Sequence, residues 1–311
     1  MIALFIAGVL LLGALCGGYY GYRRAFYFSK KHTESKSSLP SQYFDHTKIE
    51  AMKPLIEELS ALPYEEIFIK SYDGKKLFGR YYHVKDGAPV EIEFHGYKGN
   101  AYRDFCGGHK LARKLCHNII LVDQRSHGRS DGHTISFGVK ERYDALAWAN
   151  YAARRFNAPI FLVGVSMGAA TVLMSAELDL PSQVSGIIAD CPYSSPKEII
   201  KKVCTDMGLP ANALYPFVWL GAVSFGFFNP NASSAYESAR SSKVPILVLH
   251  GNSDGFVPVE MAHKICDGNE KICMLHTFEG AGHGLSYVSD PERYEKTVFE
   301  FAYKCLSKGE K

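Results

Sequence analysis

The chain has 311 residues, of which 47% are aliphatic, aromatic or cysteine and 22% are charged. These proportions are typical of a globular protein, and the length allows one large core with room for an appended element. The net charge is only +3, so the surface has no basic excess of the kind that nucleic acid binding requires. The sequence also lacks the glycine-rich patterns that hold nucleotide phosphates, which excludes the common nucleotide-binding folds.

The N-terminal stretch from Ile2 to Tyr22 contains no charged residue. At about 1.5 Å rise per residue it would form a helix of about 30 Å, the thickness of a bilayer core. Arg23 and Arg24 follow directly, and tyrosines cluster at the same end, as they do at membrane interfaces. We therefore predict that residues 1–28 are a single-pass transmembrane anchor in contact with membrane lipid.

A cleaved signal peptide, followed by secretion, is the alternative to an anchor. Signal peptides carry basic residues before the apolar segment, and none precedes it here. With an anchor, the positive-inside tendency places the C-terminal domain in the cytoplasm. The seven cysteines beyond the anchor have no regular spacing, so we expect mostly reduced thiols, in agreement with that location.

After a linker with a short helix over residues 29–60, apolar runs of about five residues alternate with helical stretches. Short continuous apolar runs are typical of strands buried on both faces of a parallel sheet. A turn at Asp73-Gly74 indicates a hairpin before them. The predicted strands are residues 66–71, 76–83, 90–94, 118–122, 160–165, 186–189, 246–249 and 272–278, and the main helices are 103–116, 139–156, 167–178, 259–266 and 291–306.

This alternation predicts an α/β fold with a doubly wound, mostly parallel sheet, formed by residues 61–191 and 241–311. The intervening segment, residues 192–240, has no strand pattern and is rich in aromatic residues. Its prolines interrupt every apolar run before it reaches the length of a membrane span. We predict that this segment is a small helical cap over the C-terminal edge of the sheet.

Ser166 is the predicted nucleophile. It lies in Gly164-Val165-Ser166-Met167-Gly168, which matches G-x-S-x-G between a predicted strand and a predicted helix. A sharp turn at this place lifts the hydroxyl clear of the sheet, and its strained backbone requires neighbours without bulk. The following helix directs its N-terminus at the site, where partial positive charge favours an oxyanion.

A serine hydroxyl needs a base near neutral pH, and His283 is the best candidate because it lies in a glycine-rich loop after the last predicted strand. A carboxylate must then orient the imidazole. Asp254 follows the preceding strand and gives the chain order Ser, Asp, His, whereas Asp190 is the alternative acid.

The oxyanion hole requires two backbone donors. We predict the N–H of Met167, directly after the nucleophile, and the N–H of Tyr97, in the glycine-rich turn after the third strand. These groups need no metal and no organic cofactor, and we expect neither.

The chain resembles α/β-hydrolases of the serine aminopeptidase/Bem46-like group over roughly residues 60–308. Ser126 stands where that group usually has glycine. The resemblance implies that the charged residues of the motif DQRSHGRSDG at 123–132 are structural. The matching pieces are FHGYKGN at 94–100, DQRSHGRSDG at 123–132, GVSMG at 164–168, HGNSDGFVP at 250–258 and GAGHG at 280–284.

The resemblance further implies hydrolysis of a small acyl ester, thioester or amide through an acyl-enzyme. A carboxylic ester hydrolase is the leading hypothesis, and an amidase or aminopeptidase with the same residues is the alternative. A third hypothesis is a membrane-anchored scaffold without activity, against which the complete set of Ser, Asp and His argues. Acyl length, physiological substrate and oligomeric state are not predicted.

Overall fold

The strands form one mixed sheet in the computed structural model, which describes residues 1–29 and 46–307. They are β1 (Glu65–Lys70), β2 (Lys76–Tyr82), β3 (Val90–Phe94), β4 (Asn118–Asp123), β5 (Ile160–Val165), β6 (Val184–Asp190), β7 (Ile246–Gly251) and β8 (Cys273–Phe278). Their order in the sheet is β1-β2-β4-β3-β5-β6-β7-β8. The β1 and β2 strands pair antiparallel, as does β2 with β4, and every later pairing is parallel.

The helices are α1 (Ile2–Ala25), α2 (His46–Ala61), α3 (Ala101–Lys114), α4 (Glu141–Phe156), α5 (Met167–Ser175), α6 (Pro196–Asp206), α7 (Ala211–Ser224), α8 (Ala235–Ser241), α9 (Val259–Cys266), α10 (Ser286–Ser289) and α11 (Pro291–Ser307). Apolar residues of α4, α5 and α9 pack in one core cluster, on one face of the sheet. Residues of α2, α3 and α11 contribute to two further clusters on the other face. The central strands β3 and β4 are buried along their whole length. The middle of β4 is continuously apolar, as expected of a strand covered on both faces, whereas β3 carries two buried glutamates, Glu91 and Glu93.

The predicted α/β-hydrolase fold is confirmed by this mostly parallel sheet and by its helices. Three helices, α6, α7 and α8, occupy the segment 192–240 in which we predicted a cap. Local sequence determines where α6 and α8 begin. Ser195 and Ser234 are their N-caps, and each accepts a hydrogen bond from the backbone N–H of a glutamate three residues later. Pro210 precedes α7, and Pro216 lies inside this helix of 14 residues without ending it.

One expectation about the cysteines is corrected in part. Cys266, at the end of α9, forms a disulfide with Cys273, at the start of β8. The chain turns back between these two elements, which brings the Cα atoms to 5.1 Å. The other described cysteines are free thiols, so a disulfide framework is absent from the described part of the chain, as expected.

The helix α1 contains the stretch Phe5–Ala25, which is long and apolar enough to cross a membrane and is almost unburied in the protein. Its C-terminal third packs closely against α7. A Cβ atom added to Gly221 of α7 would collide with the carbonyl oxygen of Gly18, and one added to Gly21 would lie 3.2 Å from the Cα of Val218. Small residues let two helix backbones approach in this way, as in membrane helix pairs.

The last residues of the predicted anchor pack into the domain. Tyr22, Phe26 and Phe28 belong to its main core cluster. The Phe26 ring lies 5.7 Å from that of Phe137 and 5.0 Å from that of Phe228. Backbone hydrogen bonds continue the attachment, because Phe28 N–H donates to the carbonyl of His133, and Ile135 N–H donates to the carbonyl of Phe26. Residues 22–28 therefore hold α1 to the domain.

We expect Phe26→Ala to lower the free energy of unfolding by about 3–5 kcal/mol, because it leaves a cavity where a fully buried ring was. Urea unfolding of the detergent-solubilised chain, followed by tryptophan fluorescence, measures this change. Tyr20→Ala is the matched control, since Tyr20 is an exposed aromatic residue of α1. Equal effects of the two substitutions would contradict the attachment.

Candidate active site

Ser166 lies at the sharp turn between β5 and α5, with φ 56° and ψ −115°. This left-handed backbone is strained for a residue with a side chain, and close packing maintains it. A Cβ atom on Gly164 would collide with the backbone of Gly168, and one on Gly168 would collide with the carbonyl of Phe94. Glycine at both positions therefore permits the turn that G-x-S-x-G predicts.

The structure brings together Ser166, His283 and Asp254. Ser166 Oγ lies 2.9 Å from His283 Nε2, and His283 Nδ1 lies 2.7 Å from Asp254 Oδ2. Because a carboxylate only accepts, the imidazole donates its Nδ1 proton to Asp254 and accepts from the serine hydroxyl at Nε2. All three side chains are buried, which excludes most competing water.

Asp254 is held in place by its own loop. Its Oδ1 accepts hydrogen bonds from the backbone N–H groups of Phe256 and Val257, at 2.9 and 2.8 Å. Its Oδ2 also lies 3.3 Å from Nε2 of His250, which in turn donates to the carbonyl of Val257. Burial alone would raise the pKa of Asp254, but His283 and these hydrogen bonds outweigh it and hold the pKa well below its ordinary value. The carboxylate is therefore ionised, as a partner for imidazolium must be.

Asp190, the alternative acid, lies in a different environment. Its oxygens accept hydrogen bonds from Tyr294 and Ser286, at 3.0 and 3.3 Å. Burial raises the pKa of Asp190 to about 6, despite the hydrogen bond from Tyr294. The charge of His283 acts on Asp190 and opposes this rise, but the hydrogen bonds of the carboxylate are those from Tyr294 and Ser286. The geometry thus favours Asp254 as the residue that orients the imidazole.

Cys191 is a neighbour of the site that no sequence motif indicates. Its Sγ lies 4.0 Å from His283 Nε2, and its φ is 49°. Cys191, Asp254 and His283 form the group of potential metal ligands found among the described residues. Both nitrogens of His283 already have partners, and burial raises the pKa of the Cys191 thiol well above its ordinary value, so this donor set suits a metal poorly.

The two predicted oxyanion donors are the backbone N–H groups of Tyr97 and Met167. Neither donates a hydrogen bond to an acceptor within the described residues. The turn that carries Tyr97 lies against the nucleophile, since a Cβ atom on Gly96 would lie 3.3 Å from the Cβ of Ser166. Met167 is the first residue of α5, so its N–H is one of the unpaired donors of a helix N-terminus.

Buried polar groups fix the turn that carries Tyr97. Gly96 N–H donates to Asp104 Oδ2 at 2.7 Å, and Gln124 N–H donates to Nε2 of His95 at 3.1 Å. The Tyr97 side chain reaches in the other direction, where its hydroxyl donates to the carbonyl of Ala25 at the end of α1, at 2.8 Å. The predicted oxyanion turn is therefore hydrogen-bonded directly to the N-terminal helix.

The charged motif at residues 123–132 has structural partners. Asp123 pairs with Arg80 at 2.7 Å, and Arg125 pairs with Asp144 at 2.6 Å. Ser126, which replaces the usual glycine, has φ 69°, a conformation that glycine adopts more readily. Its hydroxyl donates to the carbonyl of Thr134. These ion pairs of the motif stabilise the sheet beside the site, and they do not involve Ser166, His283 or Asp254.

The fold and the site define a doubly wound α/β protein with a serine, histidine and aspartate in contact at the carboxyl edge of its sheet. Residues 94–297 match the Alpha/beta hydrolase family. The chain therefore belongs to the α/β-hydrolase family.

Curated relatives agree with this assignment. The chain is 27% identical over 187 residues to protein YqkD of Bacillus subtilis, which covers 59% of this chain and 61% of YqkD. It is 25% identical over 183 residues to the lysophosphatidylserine lipase ABHD12 of Danio rerio, covering 58% of this chain and 47% of that protein. Protein bem46 of Schizosaccharomyces pombe is 24% identical over 215 residues, covering 66% and 64%. The chain thus spans about half to two thirds of these relatives, and the predicted Bem46-like resemblance is confirmed.

A solved structure with the same fold is the Pyrococcus furiosus esterase Pf2001. It superimposes with a TM-score of 0.64 at 23% sequence identity, covering 80% of this chain and 93% of the esterase. This likeness establishes the fold and does not transfer a substrate.

We expect Asp254→Asn to slow labelling of the chain by a fluorophosphonate by about 10⁴-fold, because the amide no longer fixes the imidazole tautomer. Asp190→Asn should leave most of the labelling rate, since its carboxylate bonds to Tyr294 and Ser286 instead. Time courses of labelling measure both rates. A larger loss in Asp190→Asn than in Asp254→Asn would reverse the assignment of the acid.

Proposed function

We propose that the protein is a serine hydrolase that cleaves a carboxylic ester through an acyl-enzyme. The observation that carries this proposal is the continuous contact from Ser166 through His283 to Asp254. A hydroxyl in hydrogen bond with a buried imidazole, which a carboxylate orients, is the arrangement that activates serine for attack.

In the proposed mechanism, Ser166 Oγ attacks the acyl carbonyl while His283 Nε2 takes its proton. The backbone N–H groups of Tyr97 and Met167 stabilise the oxyanion, and each such donor typically contributes about 3–4 kcal/mol. Imidazolium then returns the proton to the leaving alkoxide. Water attacks the acyl-serine with His283 again as base, which releases the acid and restores Ser166. Asp254 stabilises the imidazolium in both halves of the reaction.

Amide or peptide cleavage by the same residues is the second candidate activity. The family match fits both reactions. Ester cleavage is favoured by the name of one curated relative, the lysophosphatidylserine lipase ABHD12. The inactive scaffold is disfavoured, because each of the three side chains has the partner that catalysis requires.

We also propose that α1 anchors the chain in a membrane, with the catalytic domain in the cytoplasm. Its apolar stretch Phe5–Ala25 has the length of a span, and Arg23 and Arg24 at its end favour the cytoplasmic side. Secretion after signal-peptide cleavage is the alternative, and the Cys266–Cys273 disulfide removes part of the cysteine argument against it. Cleavage before Tyr22 would remove Gly18 and Gly21, which pack against α7.

We expect Ser166→Ala to abolish fluorophosphonate labelling and to lower p-nitrophenyl ester hydrolysis by about 10⁶-fold, because the attacking atom is removed. Ser175→Ala is the matched control, since this buried serine ends the helix that follows Ser166 and, among the described residues, its hydroxyl donates to the carbonyl of Val172 in that helix. Labelling that survives in Ser166→Ala would remove the nucleophile from the proposal.

A second measurement separates the two activities. Wild-type kcat/KM for p-nitrophenyl esters should exceed that for aminoacyl anilides, because the anilide leaving group must be protonated and the ester leaving group leaves readily. Higher kcat/KM for the anilides would favour the aminopeptidase. An apolar acyl series with increasing chain length then defines the acyl preference.

A further inference from the structure

The segment from Met207 to Tyr236 contains no charged residue, although 22% of the whole chain is charged. It includes α7 and the loop that follows it. The domain buries only part of this apolar surface. The buried residues of α7 are Tyr215, Gly221 and Ala222, and Val218 and Trp219 are partly buried against the main core cluster. Much of the segment therefore faces outward.

Exposed large apolar side chains concentrate in this segment. Beyond Ala25, nine such residues occur among those that the structure describes, and five of them lie between residues 207 and 227. Three of the other four are tyrosines, which tolerate water through their hydroxyl group. We call the five residues the cap surface. They are Met207, Leu209, Phe217, Val223 and Phe227.

The cap surface adjoins α1, which gives its position relative to a membrane. Gly18 packs on Gly221, and the ring of Tyr19 lies 5.2 Å from that of Phe225. Gly18 precedes the end of α1 by seven residues, or about 10 Å along the helix axis. The contact with α7 thus lies within the apolar stretch Phe5–Ala25 and not beyond its end.

If α1 spans a bilayer, this contact places α7 at the depth of the bilayer surface or below it. At about 14 residues and 21 Å, α7 is too short to span, but its exposed apolar face suits lipid that surrounds the end of α1. Basic residues border the region, with Arg23 and Arg24 in the last turn of α1 and Lys201 of α6 bonded to Asn212 in the first turn of α7. Such residues meet lipid phosphates at a membrane interface.

We propose that the cap surface is a second membrane-binding element, which inserts into the acyl-chain boundary of the bilayer beside α1. The partner is the lipid bilayer itself. Five exposed apolar side chains beside a membrane span indicate a membrane contact, and insertion would remove them from water. The proposal rests on the proposed anchoring by α1 and does not depend on the hydrolytic activity.

Tryptophan fluorescence tests the proposal, because the chain has two tryptophans in different environments. Trp219 lies in α7 and is partly exposed, whereas Trp148 of α4 is buried in the core. The full chain is reconstituted in phosphatidylcholine vesicles with or without bromine atoms on the acyl chains, which quench nearby tryptophan. We expect at least twofold quenching of Trp219 in Trp148→Phe and no quenching of Trp148 in Trp219→Phe.

If Trp148→Phe fails to fold, the quenching of Trp219 is obtained by subtracting the quenching measured in Trp219→Phe from that of the wild type. Phe227→Asp then provides a second arm, with Tyr303→Asp as its matched control, since Phe227 is 78% exposed and Tyr303 is 76% exposed. A charge is costly in the acyl region, so Phe227→Asp should reduce the quenching of Trp219 by at least half, and Tyr303→Asp should leave it unchanged.

Flotation of the vesicles at high salt tests the anchor separately. A floating chain whose Trp219 is quenched no more than Trp148 would overturn the proposal. A dimer on chemical crosslinking, without bromine quenching, would show a second copy of the chain on the cap surface and would also overturn it. Loss of ester hydrolysis would affect only the proposed function, because neither quenching nor flotation requires turnover.

Discussion

The hydrogen bond between Ser166 Oγ and His283 Nε2 joins residues 117 positions apart in the chain. It forms because β5 and β8 end at the same edge of the sheet, and a parallel arrangement brings the loops after successive strands to that edge. Asp254 completes the arrangement from the loop after β7, which lies between the other two strands. The site therefore depends on strand order more than on any local segment, and the helices and apolar strands serve to keep that order.

Local strain contributes to the same arrangement. The left-handed backbone at Ser166 is unfavourable by itself, and similar positive φ values occur at Lys98, Ser126 and Cys191 near the site. Each of these residues directly follows a strand or lies in a tight loop beyond one. The packed sheet determines conformations that an isolated loop would not adopt, which keeps Ser166, His283 and Asp254 in contact.

Much of the fold and site is predictable because its patterns are local or follow chain order. Buried parallel strands have continuous apolar runs, G-x-S-x-G encodes a steric requirement, and the order Ser, Asp, His follows from strand order. The choice between Asp254 and Asp190 as the acid does not follow from such patterns, because both residues follow strands. The folded loop is needed to show which carboxylate meets His283. The aromatic residues from Tyr22 to Phe28 suit a membrane interface and a protein core equally well, so composition alone did not reveal their packing.

The attachment through Tyr22 and Phe26 has a practical consequence for preparing the protein without detergent. Deleting residues 1–28 would remove side chains from the hydrophobic core, whereas a chain beginning near Tyr22 would retain them. The shorter deletion would nevertheless leave the groove on α7 around Gly221 uncovered, with the apolar residues beside it. Such a truncated chain would self-associate in solution unless polar residues replaced the apolar residues beside the groove. Solubility and an intact core therefore set opposing limits on where the protein can be shortened.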